Sequence, residues 1–210
     1  MMVSMAVSVE EIEIADPAEA WRGAGFSVDD DGVCRVGGVG LRLVGREHGT
    51  GIVGWSLSDI AGGDIDGIPT SAAHAAPAEP STHANGVTGI DHVVLLTPDL
   101  ARTVAALAAI DVLPRRERDA EMGGRPIRQI FFRLGEVIVE VVGSPDTAGD
   151  GPSSLWGITY VVDDIEATAA FFGDRTLPVK DAVQPGRRIT TLRHADLGIS
   201  VRTAMISARR

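Results

Sequence analysis

The chain has 210 residues, with 29 acidic against 19 basic side chains and a formal charge of −10. Phosphate-backbone recognition needs a basic surface, so this balance excludes a nucleic-acid binder and points to a small-molecule partner. The single cysteine, Cys34, excludes an internal disulfide framework. No apolar run approaches the roughly eighteen residues of a membrane span and Met1 to Ser8 has no basic leader, so the expectation is a cytoplasmic protein with no membrane partner.

In chain order, Val9 to Ile14 reads as a strand, and Asp16-Pro17-Ala18-Glu19 as a helix start with Asp16 capping. Phe26 to Val28, Val33 to Val36 and Val39 to Val44 follow as short strands, with Cys34 packed inside one. Gly51 to Ile60 reads as an extra strand without a helix behind it. From Ala61 to Thr88 the composition turns to Gly, Ala, Pro, Asp, Ser and His, which predicts a linker. The expected division is therefore 1–60, a linker at 61–88, and a domain at 89–210.

Gly89 to Leu96 is an apolar strand, and Thr97-Pro98-Asp99 predicts a helix start with Thr97 as cap. Leu100, Val104 and Leu107 then give one helical stripe. Ile127 to Arg133, a turn near Gly135, and Val137 to Val142 complete a βαβββ unit over 89–145. A second unit over 153–208 runs from Leu155 to Val162, through a helix opened by Asp163 and Glu166, to the strands of Arg188 to Ile206. With the shorter first copy, three modules of one design fill most of the chain.

The Asp91-His92-Val93-Val94 opening and the closing phrase Phe131-Phe132-Arg133-Leu134-Gly135-Glu136-Val137-Ile138-Val139-Glu140 resemble the vicinal oxygen chelate superfamily, the glyoxalase and bleomycin-resistance-like proteins. The resemblance implies an α+β fold of repeated βαβββ modules, forming a half-open curved sheet with helices outside. It also implies a ligand trough between the two paired modules. Metal-dependent members take ligands from the first and last strands of paired modules, which maps His92 and Glu140 onto one half-site. The matching positions of the other modules are Gly157 and, in the first copy, Arg42, so Glu10, Glu11 or Glu13, another subunit or substrate would have to complete the site. The cofactor implied is a divalent metal, iron, zinc, nickel or manganese.

Strand parity with His92 places Val94, Ile138, Glu140, Gly157 and Thr159 on the trough face, with Gly157 leaving space. Phe131 or Phe132, whichever faces inward, supplies an aromatic wall, with Phe131 taken as the candidate. Of the arginines Arg125, Arg128, Arg133, Arg187, Arg188, Arg193 and Arg202, Arg128 and Arg188 are the candidates for holding an anion through a two-pronged contact. His48, His74 and His83 read as solvated loop residues, His194 as a turn residue, and Trp55 and Trp156 as packing residues. Three functions follow: binding of a small anionic or oxygen-rich molecule without a catalytic metal; a metal-dependent lyase, isomerase or dioxygenase; or a regulatory module forming a homodimer through the unpaired first copy.

Overall fold

The computed structural model describes residues 6–73 and 79–209. Along the chain lie β1 (Val9–Ile14), α1 (Ala18–Gly23), β2 (Val33–Val36), β3 (Val39–Leu43), β4 (Ile52–Leu57), β5 (Gly63–Ile65) and β6 (Ile68–Ala72). There follow β7 (Val87–Leu96), α2 (Leu100–Ala108), β8 (Arg116–Met122), β9 (Arg125–Leu134), β10 (Val137–Gly143), β11 (Ser154–Val162), α3 (Ile165–Phe172), β12 (Lys180–Asp181), β13 (Arg188–Thr191) and β14 (Arg202–Ser207). They form a six-stranded sheet, β2-β3-β1-β4-β6-β5, and an eight-stranded one, β12-β13-β14-β11-β7-β10-β9-β8.

The larger sheet is the paired βαβββ architecture. In each module the opening and closing strands run parallel, β7 beside β10 and β11 beside β14, and the two modules join through antiparallel β7 and β11. The helices lie on the face opposite the trough. Sequence periodicity gave no sign of β8, because Arg116 to Met122 is largely exposed and charged.

The smaller sheet repeats this plan in reduced form. β1 runs parallel to β3, β4 lies antiparallel beside β1, and β6 runs parallel to β4 with β5 outside it. The registers correspond: Glu13 faces Gly54 and Glu11 faces Ser56, as Val94 faces Gly157 and His92 faces Thr159. So β4 to β6 form a helix-less fourth module rather than an orphan strand, and two of its strands lie inside the span expected as linker. Strands of three and five residues containing Gly, Asp, Pro, Thr and Ser carry too little apolar alternation to reveal themselves. With four modules in two pairs, the odd-copy motive for dimerisation disappears.

Helix starts shift from expectation. Asp99, not Thr97, caps α2 by accepting from the Arg102 amide at 3.0 Å, and Asp164, not Asp163, caps α3. No side chain caps α1; the fully buried Asp16 instead accepts from the Ser200 amide at 2.9 Å and from Trp21 Nε1 at 3.2 Å. Phe26 to Val28 is irregular chain.

The two sheets share one core. Ile12, Ile14, Trp21 and Trp55 from one side meet Val93, Leu95, Phe132 and Tyr160 from the other, and the rings of Phe26 and Tyr160 lie 5.4 Å apart. Cys34 lies fully buried here with its thiol pushed up to about 12 by desolvation and by Asp29, which makes it a packing residue and no nucleophile. His83 is buried rather than solvated: its Nδ1 accepts from the Ser27 amide at 3.1 Å, leaving Nε2 to donate to the Arg35 carbonyl at 3.1 Å. His48 is exposed, and His74 lies outside the described residues. Asp66, in the turn between β5 and β6, joins the sheets by accepting from Arg102 Nε, Thr103 Oγ1 and, at 2.6 Å, Ser153 Oγ.

Candidate binding trough

The site begins with a break in strand alternation. In β7 both Ile90 and Val93 are buried, a spacing of three that a regular pleat would place on opposite faces. The register explains it: Thr159 faces His92 but the next residue, Tyr160, faces Ile90, so Asp91 is an extra residue in a β-bulge. The bulge turns Asp91 and His92 together away from the core. With Val139 and Val141 in the core, Ile138 and Glu140 face the same way.

A continuous polar chain results. Arg187 Nη1 donates to Asp91, whose other oxygen accepts from His92 Nδ1 at 2.8 Å. His92 Nε2 lies 3.4 Å from Glu140 Oε2, and the second Glu140 oxygen accepts from Gln129 Nε2. Gln129 Oε1 in turn accepts from Arg118 Nε at 2.9 Å. Burial alone would raise the Asp91 carboxyl, but the donated hydrogen bonds and charges of His92 and Arg187 hold it below the usual carboxylate range. Asp91 is therefore ionised at neutral pH and accepts the Nδ1–H hydrogen bond of His92.

Asp91 and Glu140 approach His92 from its two different ring nitrogens, so these carboxylates and the imidazole do not converge on one point. The positions in the second module equivalent to His92 and Glu140 are Gly157 and Ala204, as the parallel pairs His92–Ile138 with Val94–Glu140 and Gly157–Arg202 with Thr159–Ala204 establish. Glu11 and Glu13 belong to the smaller sheet, on the face away from the core-buried Ile12 and Ile14, and Glu11 is held by Arg42 at 2.7 and 2.8 Å. Glu10 accepts from Ser8 Oγ, just ahead of β1. Among the described residues no three His, Cys, Asp or Glu side chains converge on an ion. A protein metal centre of the three-ligand kind does not fit these residues as arranged.

The other expected residues divide between two faces. Val94, Gly157 and Thr159 line a cavity of ≈ 430 Å³ at the second-module end of the trough, together with Trp156, Arg193, His194, Arg202 and Ala204. Gly157 does not leave room: a Cβ there would stand 2.7 Å from the Arg202 carbonyl oxygen, so glycine is required by the approach of β11 to β14. Phe131 and Ile138 share the trough face with Glu140, and the Arg116 guanidinium lies 4.5 Å from the Phe131 ring centroid. Arg128 points to the helix side, paired with Asp119 beside α2. Arg188 is exposed and paired with Glu166 of α3, so of the two adjacent arginines it is Arg187, only 4% exposed, that turns inward.

Asp91, Gln129 and Arg187 were thus absent from the expected set. The apolar pair Ile90 and Val93 around two polar residues was the available signal for Asp91. Trp55 is a packing residue, whereas Trp156 is 40% exposed with the Arg202 guanidinium 4.8 Å from its ring centroid.

No family model matches the sequence, and no curated protein matches it significantly. Solved structures do match. A mutant of 4-hydroxymandelate synthase from Streptomyces coelicolor aligns at 16% identity over 98% of this chain and 94% of its own, with a TM-score of 0.64. An extradiol ring-cleaving dioxygenase from B. fuscum aligns at 12% identity over 100% of this chain and 74% of its own, with a TM-score of 0.57. Among the described residues no helix is long and apolar enough to cross a membrane. The likeness to both structures establishes the fold: a glyoxalase-like, curled eight-stranded half-barrel carrying the trough, backed by a second sheet.

Proposed function

We propose that the trough of the larger sheet binds a small anionic or oxygen-rich molecule, as a binding protein of the glyoxalase/bleomycin-resistance type, without a catalytic metal. The observation that carries this reading is the polar chain from Arg187 to Arg118. It sets ion-paired and hydrogen-bonded groups across a concave face otherwise walled by Val94, Phe131 and Ile138. Asp91 holds His92 and Gln129 holds Glu140, which fits the two side chains to fix a ligand's orientation through hydrogen bonds.

A thermal-shift screen of small organic acids, phenols and their neutral analogues tests the proposal. Compounds that raise the melting temperature are expected to lose their effect in Val94→Trp, which fills the trough while leaving the core face intact. Equal shifts in both proteins would place the bound compound elsewhere and overturn it.

A further inference from the structure

Building on the trough reading, we infer that its second-module end is a subsite for a planar organic anion, which lies against Trp156 and carries its charge on Arg202 and Arg193. Three observations converge on the ≈ 430 Å³ cavity there. First, both guanidiniums line it, and neither makes an ion pair or a side-chain hydrogen bond among the described residues.

Second, the Arg202 guanidinium carbon lies 4.8 Å from the Trp156 ring centroid, a cation–π contact that uses none of its N–H groups, which can meet a carboxylate with two parallel bonds. Third, Trp156 is itself 40% exposed at this cavity although the other two tryptophans, Trp21 and Trp55, are buried. An indole surface so placed offers a flat apolar platform beside the cations. His194 also lines the cavity, held by its Nδ1–H, which donates to the Ile199 carbonyl at 2.9 Å. Asp196 is the one carboxylate on the rim, so the lining retains a positive balance.

Equilibrium binding of 2-naphthoate and of its neutral isostere 2-naphthamide, followed by tryptophan fluorescence, tests the assignment. Naphthoate is expected to quench emission saturably and to bind about tenfold more tightly than the amide, the scale of a charge-assisted hydrogen bond. Arg202→Gln and Arg193→Gln should each reduce that preference several-fold, and Trp156→Phe should abolish the quenching while circular dichroism stays unchanged. Equal binding of acid and amide, both blocked by Val94→Trp, would overturn the anion subsite and leave trough binding standing. Binding of neither, or binding untouched by every one of these substitutions, would overturn the subsite as well.

Discussion

Arg187 and Asp91 lie 96 positions apart in sequence and form an ion pair in which both side chains are nearly sealed from solvent, at 4% and 8% exposure. Arg187 Nε also donates to the Ser207 carbonyl at 2.7 Å, so the guanidinium ties the approach to β13 to both β14 and β7. Removing one partner of such a pair strands the other charge. Arg187→Ala is expected to cost about 3–5 kcal/mol and Arg187→Met less, measured by urea denaturation. Equal stability of Arg187→Ala and wild type would contradict the pairing.

The same pair fixes a pH dependence. Because the folded state holds the Asp91 carboxyl below its ordinary value, the unfolded chain takes up the proton first as pH falls. Its contribution is complete above about pH 4, the ordinary aspartate range, and is lost as pH drops through the lower folded value. Asp91→Asn should therefore flatten the acid limb of the stability profile below about pH 4, and an unchanged acid limb would contradict this.

His83 gives a second window, at higher pH. Desolvation lowers its pKa in the fold, outweighing the Arg35 carbonyl that favours the charged ring, and protonating Nδ1 would break its bond from the Ser27 amide. Stability from this group is complete above about pH 6.5 and declines as pH falls below it, since the unfolded chain protonates first. His83→Gln is expected to remove that decline in denaturation midpoints between pH 7 and pH 5, and its persistence would assign the titration elsewhere.

Tyr160 buries its hydroxyl completely with no hydrogen-bond partner among the described residues. An unpaired buried hydroxyl costs free energy that phenylalanine does not incur. Tyr160→Phe is accordingly expected to stabilise the protein by about 1 kcal/mol, read from the thermal midpoint. A loss of stability would show that the hydroxyl is bonded.

The architecture was legible where apolar alternation was strong. Val93 to Leu96, Val137 to Val142 and Leu155 to Val162 all appear as strands, and the stripe of Leu100, Val104 and Leu107 lies on a helix. His92 and Glu140 also come together, 3.4 Å apart, since β7 and β10 run side by side in parallel. What escaped was whatever depends on non-local contact. The fourth module lies in short strands that alternation does not mark, and its turn residue Asp66 is held by Arg102, Thr103 and Ser153 from the other sheet. Parity failed at the bulge, where one inserted residue turned Asp91 toward the trough, and between Arg187 and Arg188, where adjacent identical residues give composition nothing to separate. Gly157 looked like empty space because a sequence does not display how closely two strands approach.

The most direct test of a trough that works without a resident metal is the divalent-metal content of untagged protein prepared without chelator, by elemental mass spectrometry, before and after incubation with iron, zinc, nickel and manganese. With His92 Nε2 and Glu140 Oε2 the only metal-ligating donors brought together there among the described residues, and Gly157 and Ala204 at the opposing positions, substoichiometric metal is predicted, unchanged in His92→Ala. One metal ion per chain that is lost in His92→Ala would contradict it.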